Sequence, residues 1–288
     1  LHGRGRPIPG EDHMQSGSIL VTGASSGIGH AAARMLKARG WRVLATARRA
    51  EDLARLRDVE GVEALPLELS DEASSAACAS AALEATGGRL DALFNNAAFG
   101  QVGAVEDLDA AMLRRQLEVN VIGTHELTRR LVPAMRRQKR GRIVQCASVL
   151  GLVSAPYRGA YCASKFALEA LSDAMRHELA GSGSSVSLIE PGPIRSRFVE
   201  TALANFRATI DIDGSAHRER YLVRLKGMEA GGRQTFKLEP EAVVGKLIHA
   251  IEAARPRTRY YVTTPTHIAA GLKRVLPTAL LDRLVTRL

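Results

Sequence analysis

The stretch that most constrains the fold is a short apolar run at 18–23, S-I-L-V-T-G, which a glycine-rich turn separates from an alanine-rich segment. The apolar run is typical of a buried strand, and the segment A-A-A-R-M-L-K-A-R favours a helix that ends at Gly40. Between them, Gly23, Gly27 and Gly29 have the spacing G-x-x-x-G-x-G. Glycines at such a turn let the backbone approach a pyrophosphate, whose charge then faces the helix N-terminus. The sequence therefore predicts a nucleotide-binding α/β unit.

Apolar runs and helical segments continue to alternate along the chain. Further strands are predicted at 41–47, 62–69, 89–98, 142–148, 186–192 and 259–264. The sequence contains no internal repeat and no linker. Strands that alternate with helices form parallel sheets with helices on both faces. The expected fold is α/β, a single doubly wound (Rossmann) domain whose parallel sheet of about seven strands is flanked by helices.

Three segments lie outside this regular alternation. Residues 1–13 are polar and rich in glycine and proline, and we interpret them as a vector-derived leader. The main domain is expected over 14–265. Within it, 193–237 has no clean periodicity and is long for a connection, which predicts a substrate lid. The tail, 266–288, is predicted to be helical on either side of Pro277.

Composition narrows the function further. The 288 residues carry a net charge of +10, which suits steering of a phosphorylated cofactor; no compact basic run has interleaved aromatic residues, so no nucleic-acid partner is expected. The three cysteines and eight histidines lack metal-ligand spacing, and we expect no metal site. The odd cysteine count argues against a disulfide framework and favours a cytoplasmic protein. No apolar run reaches roughly 18 residues, so no transmembrane span is predicted.

Tyr161, Lys165 and Ser148 form the candidate chemical group. If 158–180 is a helix, Tyr161 and Lys165 lie one turn apart on the same face. The lysine ammonium favours the phenolate and is expected to lower the tyrosine pKa from about 10. Ser148, at the end of the predicted strand 142–148, is placed to hydrogen-bond the substrate oxygen that Tyr161 protonates. Such a group moves a proton on or off a carbonyl or alcohol oxygen, although Y-x-x-x-K in isolation is more often an exposed aromatic residue beside a solvated lysine.

Two further positions have competing interpretations. Arg48 and Arg49 follow the second strand, where an acidic residue would bind the ribose 2′-hydroxyl and an arginine suits a 2′-phosphate. We therefore prefer NADP(H) over NAD(H) as cofactor, and the alternative is that both arginines are surface charges. Asn120 lies within an apolar helical stretch, 117–124. It is either a functional residue or a helix-bending core asparagine with satisfied hydrogen bonds.

Several motifs occur together in one order: T-G-A-S-S-G-I-G at 22–29, N-N-A-A at 95–98, Asn120, Ser148, Y-C-A-S-K at 161–165 and P-G at 191–192. Over about 17–265 this set resembles the short-chain dehydrogenase/reductase family. The spacings agree, since Ser148 precedes Tyr161 by thirteen residues and Pro191 follows it by thirty. The stretches Y-C-A-S-K-F-A-L-E and S-L-I-E-P-G-P-I are similar to the branch that contains the 17β-hydroxysteroid and retinol dehydrogenases.

The resemblance implies four catalytic residues. Tyr161 would act as general acid in carbonyl reduction and as general base in alcohol oxidation. Lys165 would lower the pKa of Tyr161 and hold the nicotinamide ribose. Ser148 would polarise the substrate oxygen, and Asn120 would hold a water of the proton relay.

The resemblance also implies a cofactor site and a substrate site. The cofactor residues, in chain order, would be Gly23, Ala24, Ser25, Ser26, Gly27, Ile28, Gly29, Arg48, Arg49, Glu68, Leu69, Asn96, Ala97, Tyr161, Lys165, Pro191, Gly192, Ile194 and Ser196. The substrate residues would be Ser148, Leu150, Tyr157 and Phe198. Two positions depart from the family pattern, because Ala98 replaces the usual glycine of N-N-A-G and Glu68 stands where Asp or Asn is common.

The implied function is hydride transfer between NADP(H) and a carbonyl or secondary alcohol of a lipophilic small molecule, with the proton passing through Tyr161. Relatives of this kind often pair through helices near 110–138 and 158–180, so a homodimer or homotetramer is expected. The alternatives are an NAD(H)-preferring alcohol dehydrogenase of the same fold and a nucleotide-sensing binding protein without catalysis. The complete set of four catalytic positions favours the enzyme.

Overall fold

The computed structural model describes residues 17–229 and 235–285. The predicted leader lies outside the described residues, as do 230–234 of the predicted lid and 286–288 of the predicted tail. Within the described ranges, no helix is both long enough and apolar enough to cross a membrane.

A parallel sheet of seven strands forms the centre of the described chain. Its strands are β1 (Ser18–Val21), β2 (Arg42–Ala47), β3 (Glu63–Pro66), β4 (Ala92–Asn95), β5 (Gly141–Cys146), β6 (Ser184–Glu190) and β7 (Arg259–Tyr261). Their order in the sheet is β3-β2-β1-β4-β5-β6-β7, and each neighbouring pair is parallel. The predicted doubly wound α/β fold is confirmed. Its strand order reverses between β1 and β4, where ligands of such sheets bind.

Helices connect and cover the strands. In chain order they are α1 (Gly27–Ala38), α2 (Ala50–Asp58), α3 (Glu72–Ala85), α4 (Ala110–Leu117), α5 (Thr124–Arg137), α6 (Gly159–Glu178), α7 (Phe198–Thr209), α8 (Arg218–Glu229), α9 (Pro240–Glu252), α10 (Thr264–Val275) and α11 (Thr278–Val285). A π-helical segment, Glu118–Gly123, joins α4 to α5, and 3₁₀ turns lie at Val105–Asp107 and Val149–Gly151. The positions of α10 and α11 agree with the helical tail predicted on either side of Pro277.

Two apolar layers sandwich the sheet because neighbouring strand residues point to opposite faces. Ile19 and Val21 of β1 pack on one face with residues of α1, α2 and α9. Leu20 packs on the other face with residues of α3 and α5. All three side chains are fully buried. Burial of one such side chain contributes about 1.5–3 kcal/mol, so the two layers stabilise the sheet and fix which strand residues face each side.

Several strands are shorter than their apolar runs predicted. The run 62–69 pairs only over β3, and the run 89–98 only over β4. Leu67 and Leu69 remain buried after β3 has ended. The apolar pattern continues because these residues stay in the core, while their backbone leaves the sheet to build the edge where the strands end.

Residues 193–237, whose sequence has no clean periodicity, contain the helices α7 and α8. These helices pack on a separate buried group, the lid cluster, which consists of Val102, Ala104, Ala202, Phe206, Ile210 and Tyr221. In α8 the buried residue is Tyr221. One buried position leaves no apolar stripe along the helix, and that is why periodicity in the sequence does not reveal it.

Candidate active site

The glycine turn between β1 and α1 forms a cradle with little room for side chains. Gly23 and Gly27 have left-handed φ angles of 68° and 56°, which glycine adopts without strain. A side chain at Gly29 would collide with the Gly23 carbonyl and come within 2.7 Å of Asn96 Nδ2. The N-cap residue, Ser26, gives no side-chain cap to α1. The first backbone N–H groups of α1 therefore face outward without an intrahelical acceptor, which fits a pyrophosphate.

Hydrogen bonds from the neighbouring strands hold this turn in place. Ala24 N donates to Thr46 O at 2.8 Å, so β2 fixes the start of the turn. The Thr22 hydroxyl accepts from Asn96 N at 2.9 Å and from Ala97 N at 3.0 Å. Asn96 Nδ2 donates to Thr22 O at 3.0 Å. The predicted cofactor residues Asn96 and Ala97 thus contact the glycine turn directly.

The predicted 2′-phosphate residues lie at the exposed end of β2. Arg48 Nη1 is 3.6 Å from Glu68 Oε2, and Arg49 Nε is 3.1 Å from Asp52 Oδ2. Both arginine side chains are largely exposed. Burial favours a higher pKa for Glu68, but hydrogen bonds from Ser70 and the charge of Arg48 outweigh it and lower that pKa. The structure thus brings Glu68 and Arg48 together, at a place where the ion pair meets solvent.

Helix α6 carries Tyr161 and Lys165 one turn apart on its inward face, as predicted. Both residues are buried, with 9% and 3% of their surfaces exposed. Lys165 Nζ donates to Cys146 O at 2.7 Å and lies 5.6 Å from the centre of the Tyr161 ring. On the other side, the ring of Phe198 lies 5.4 Å from the Tyr161 ring. The alternative of an exposed aromatic residue and a solvated lysine is wrong for this chain.

Burial controls the charge of this pair. It raises the pKa of Tyr161, and the charge of Cys146 adds to the effect, while a hydrogen bond from Ser148 lowers it. Burial also lowers the pKa of Lys165. The expected lowering of the Tyr161 pKa by Lys165 is therefore wrong for the chain alone, because loss of solvent outweighs the attraction between the two groups. The expected hydrogen bond from Ser148 to the substrate oxygen stays a prediction.

Asn120 lies in the π-helical segment, and its side chain is engaged on both ends. Its Oδ1 accepts from Phe99 N at 3.1 Å, and its Nδ2 donates to Phe99 O at 2.9 Å and to Ser164 Oγ at 3.1 Å. Gln116 Nε2 also donates to Phe99 O, at 3.0 Å. The side chain of Asn120 thus has the satisfied core bonds of the alternative interpretation, and it ties the loop at Phe99 to the residue before Lys165. Ser164 and Gln116 were missed in the sequence, because nothing local to them indicates these partners.

The segment 191–196 crosses from β6 to the glycine turn. Val149 N donates to Pro191 O at 2.8 Å, which fixes this segment beside the Ser148 loop. A side chain at Gly192 would collide with Thr263. A side chain at Gly27 would come within 3.1 Å of Ser196 Cβ. Most of the predicted cofactor residues therefore lie around one cleft, at the carboxyl ends of the strands.

The substrate-side residues lie on two sides of Tyr161. Phe198 packs on its ring, and Leu150 N donates to the Ser148 hydroxyl at 3.1 Å. Tyr157 has a left-handed φ of 64°, and Arg224 lies over its ring at 4.4 Å. Tyr157 also lines a cavity of about 410 Å³, which is bordered by Ala104, Val105, Glu106, Pro156, Tyr157, His217 and Arg220. The contributions of His217 and Arg220 were missed, because they come from a helix and a loop that the sequence pattern did not reveal.

Comparison with known proteins identifies the same family that the sequence motifs resemble. The short chain dehydrogenase family model matches residues 18–205. An uncharacterized oxidoreductase of Escherichia coli, YbbO, is 41% identical over 93% of each chain. Human 17-beta-hydroxysteroid dehydrogenase type 1 is 34% identical over 85% of this chain and 77% of its own. Rat retinol dehydrogenase 16 is 34% identical over 94% of this chain and 88% of its own.

Solved structures share the fold. A short chain dehydrogenase/reductase from Burkholderia phymatum in complex with NAD has a TM-score of 0.78 at 28% identity, covering 91% of this chain and 93% of its own. A variant of actinorhodin polyketide ketoreductase with NADPH has a TM-score of 0.70 at 28% identity, covering 86% and 95%. With the family match, these relatives show that this chain belongs to the short-chain dehydrogenase/reductase family, in the branch of the 17β-hydroxysteroid and retinol dehydrogenases, and is an NAD(P)-dependent oxidoreductase.

Proposed function

We propose that the protein transfers a hydride between NADP(H) and a carbonyl or secondary alcohol of a lipophilic substrate, with Tyr161 as general acid and base. The observation that carries this proposal is the placement of the Tyr161 phenol. It is buried and packed beside Lys165, at the sheet edge that also holds the glycine turn. A positioned phenol in such a cleft transfers a proton to or from a substrate oxygen.

Tyr161, Ser148 and Lys165 each have a separate role in carbonyl reduction. A bound NADPH supplies the hydride. Tyr161, which burial keeps in its neutral form, donates the proton to the substrate oxygen, and Ser148 donates a hydrogen bond to the same oxygen. Lys165 keeps N–H donors beyond its bond to Cys146 O, and these hold the ribose and favour the phenolate left after proton transfer. Alcohol oxidation uses the same contacts in reverse.

Asn120 is proposed to hold a water that returns the proton to Tyr161. Its side-chain oxygen and amide already bind Phe99 and Ser164. The relay water therefore binds the main-chain carbonyl of Asn120, which has a second lone pair available in principle. The side chain positions this carbonyl, so the functional and the structural interpretations of Asn120 are compatible.

The preference for NADP(H) rests on Arg48 and Arg49. No acidic residue occupies 47–49 to bind a ribose 2′-hydroxyl, and both guanidinium groups are exposed at the end of β2. The ion pair between Arg48 and Glu68 is long, at 3.6 Å, and a phosphate would compete for it favourably because it accepts bidentate bonds. The NAD(H)-preferring alternative predicts that Arg48 contributes nothing to cofactor choice.

The lipophilic substrate class is supported by the residues around Tyr161. Phe198 packs directly on the catalytic ring, and Leu150 follows Ser148. The lid cluster behind them is apolar and aromatic. Pockets of this composition bind lipophilic ligands and use few polar groups for orientation. The names of the related dehydrogenases, which denote steroid and retinol substrates, point in the same direction.

The proposed function is tested with a panel of aldehydes and ketones, from small to bulky and lipophilic, in the presence of NADPH. We expect consumption of reduced nicotinamide with the lipophilic members and slower turnover with NADH. Tyr161→Phe should bind NADPH with unchanged affinity and lose most of its activity, by a factor on the order of 10²–10⁴. Near-normal rates in that variant would refute the role of Tyr161. Tight NADPH binding without turnover of any compound would instead support the nucleotide-sensing alternative.

Assembly and location stay predictions. Exposed apolar side chains lie on or next to the helices expected to pair, namely Leu113, Ile122, Phe166 and Leu171. Burial of such side chains between two copies would supply part of the free energy of association. We therefore propose a homodimer or homotetramer, which a mass measurement in solution decides. The expected cytoplasmic location rests on cysteine usage alone.

A further inference from the structure

A buried cluster of charged groups lies behind Lys165, on the side away from Tyr161. Arg259 of β7 binds Glu169, Glu190 and Asp173, with 2.5 Å to Glu190 Oε1 and 2.6 Å to Asp173 Oδ2. Glu190 is completely buried, and the Glu169 side chain is 9% exposed. Asp173 is 37% exposed and also pairs with Arg176. Three carboxyl groups thus surround one partly buried guanidinium.

Among the described residues, Arg259 is the cation that pairs directly with both buried glutamates, whereas Lys165 donates to Cys146 O; if both glutamates are ionised, one of their two negative charges lacks a direct ion-pair partner. Arg259 offsets one of the two buried glutamates, and Asp173 has Arg176 as a second partner. One oxygen of each glutamate, Oε1 of Glu169 and Oε2 of Glu190, lacks a hydrogen-bond donor. Both carboxyl groups accept a hydrogen bond from the same nitrogen, Nη1 of Arg259, which holds them close to each other. Two carboxylates cannot bond without a proton, and a single shared proton would satisfy both oxygens.

We propose that Glu169 and Glu190 share one proton at neutral pH and act as a positioning pair for Lys165. Glu169 lies one helical turn beyond Lys165 on α6, as Lys165 lies one turn beyond Tyr161. Glu190 is the last residue of β6 and directly precedes Pro191. The pair therefore connects the lysine under the catalytic phenol with the segment that borders the cofactor cleft.

The groups that face the pair come from four elements. Lys165 and Asp173 face it from α6 and Arg259 from β7. Burial and the charge of Glu190 raise the pKa of Tyr261 of β7. The Tyr261 ring stacks edge-on with the ring of His267 of α10, and the two ring centres are 5.5 Å apart. The charge of Arg274 of α10 lowers the pKa of Tyr261. A side chain at Gly151, in the 3₁₀ turn, would come within 3.1 Å of Glu169 Cγ, so no solvent space separates the pair from the Ser148 loop.

The direction of the pKa shifts agrees with a shared proton. Burial, followed by the charge of Glu169, raises the pKa of Glu190 to about 8. Burial also raises the pKa of Glu169, against the attraction of Arg259. A folded-state pKa above the unfolded value means that the folded chain binds more protons at intermediate pH. The pair therefore stabilises the fold fully at low pH, and its contribution is lost as pH rises from about 4.5 to about 8.

The shared proton has a consequence for the active site, and this part rests on the proposed function. When the pair loses its proton, a second negative charge forms one turn from Lys165. This added negative charge stabilises the ammonium of Lys165, so Lys165 loses its proton at a higher pH. In Glu190→Gln the charge never forms, since an amide mimics the protonated partner. The alkaline limb of kcat/KM should therefore move to lower pH.

Infrared difference spectroscopy tests the proton without any turnover. The full-length protein is titrated from pH 6 to about pH 10, a range that brackets the Glu190 pKa, which burial raises to about 8. We expect a protonated-carboxyl band at neutral pH that disappears near pH 8 and is absent in Glu190→Gln. Asp173→Asn is the matched control, because Asp173 binds the same arginine but is half-exposed, and it should keep the band. Absence of the band in the wild type at neutral pH, or its survival in Glu190→Gln, overturns the proposal; if Glu190→Gln does not fold, the wild-type titration alone decides.

The pH profile of carbonyl reduction tests the positioning role. Below pH 7, kcat/KM of Glu190→Gln should stay within about twofold of the wild-type value. The alkaline limb of its profile should move to lower pH by about half a pH unit or more. Asp173→Asn should keep the wild-type profile. A Glu190→Gln profile that is only scaled down, with its limbs unmoved, shows a structural role and overturns the positioning role. If the wild type reduces no carbonyl compound, the proposed function fails and the infrared band decides the shared proton by itself.

Discussion

The glycine turn and the lid cluster are stabilised in contrasting ways. At the turn, backbone groups and short polar side chains form the hydrogen bonds, and even one added carbon at Gly29 would collide with its neighbours. In the lid cluster, large side chains from distant parts of the chain pack together, with Phe206 and Tyr221 edge-on at 5.0 Å. The turn has no space for an added side chain at Gly29, and the ligand proposed to bind there is the cofactor pyrophosphate. The lid cluster can be repacked, so substrate choice is expected to reside there and cofactor binding at the turn.

Gly29→Val should have the largest effect. Its side chain would overlap the Gly23 carbonyl and Asn96 Nδ2, and overpacking of this kind costs about 1–3 kcal/mol or more. We expect loss of measurable NADPH binding by calorimetry and a lower melting temperature. Gly245→Ala in α9 is the control, because a side chain there meets nothing within 4 Å. Normal NADPH affinity in Gly29→Val would show that the turn is not the pyrophosphate site.

Phe206→Ala probes the other side of the comparison. Phe206 is 2% exposed, and removal of a buried phenylalanine costs about 3–5 kcal/mol. Because the lid cluster is separate from the two layers on the sheet, we expect KM for carbonyl substrates to rise while the NADPH dissociation constant stays the same. Val223→Ala, at a 72% exposed position of α8, is the control and should change neither constant. An equal loss of NADPH affinity would show that the two regions are not independent.

Arg48→Asp should have the smallest effect of the three. Hydrogen bonds to charged groups contribute about 1.5–3 kcal/mol, so the ratio of NADPH to NADH affinity should fall by about 10- to 100-fold. Arg57→Asp makes the same charge change on the exposed side of α2 and should leave the ratio near that of the wild type. Both ratios come from cofactor titrations by fluorescence. An unchanged ratio in Arg48→Asp would remove the reason for naming the phosphate.

The glycine turn and the strand and helix on either side of it could be predicted because their signals are local. An apolar run followed by Gly23, Gly27 and Gly29 determines strand, turn and helix within about twenty residues. The inward placement of Tyr161 and Lys165 likewise follows from helical spacing and a strand that ends at Ser148. Such features depend on neighbours in sequence, and a single chain is enough to reveal them.

The surroundings of these residues could not be predicted, because they come from far along the chain. Lys165 bonds to Cys146 on another element, and Arg259 meets Glu169 ninety residues away. The pKa of Tyr161 was expected to fall because the attraction of Lys165 and of a cationic cofactor ring was considered without burial; burial, to which Phe198 contributes from α7, reverses the direction in the chain alone. Contacts between residues far apart in sequence thus determine the pKa values of the site, even where a local sequence pattern predicts the position of the residues.

The central claim is that the buried Tyr161 phenol is poised to exchange a proton once nucleotide binds beside it. Tyrosine ¹³Cζ resonances report ionisation directly, and the chain has five tyrosines, of which Tyr161 is assigned by its loss in Tyr161→Phe. Without nucleotide, burial should keep Tyr161 neutral beyond its ordinary value of about 10. With NADP⁺, the cationic ring should move its titration to lower pH by at least about one unit. Titration of Tyr161 at the same pH with and without NADP⁺ would contradict the account.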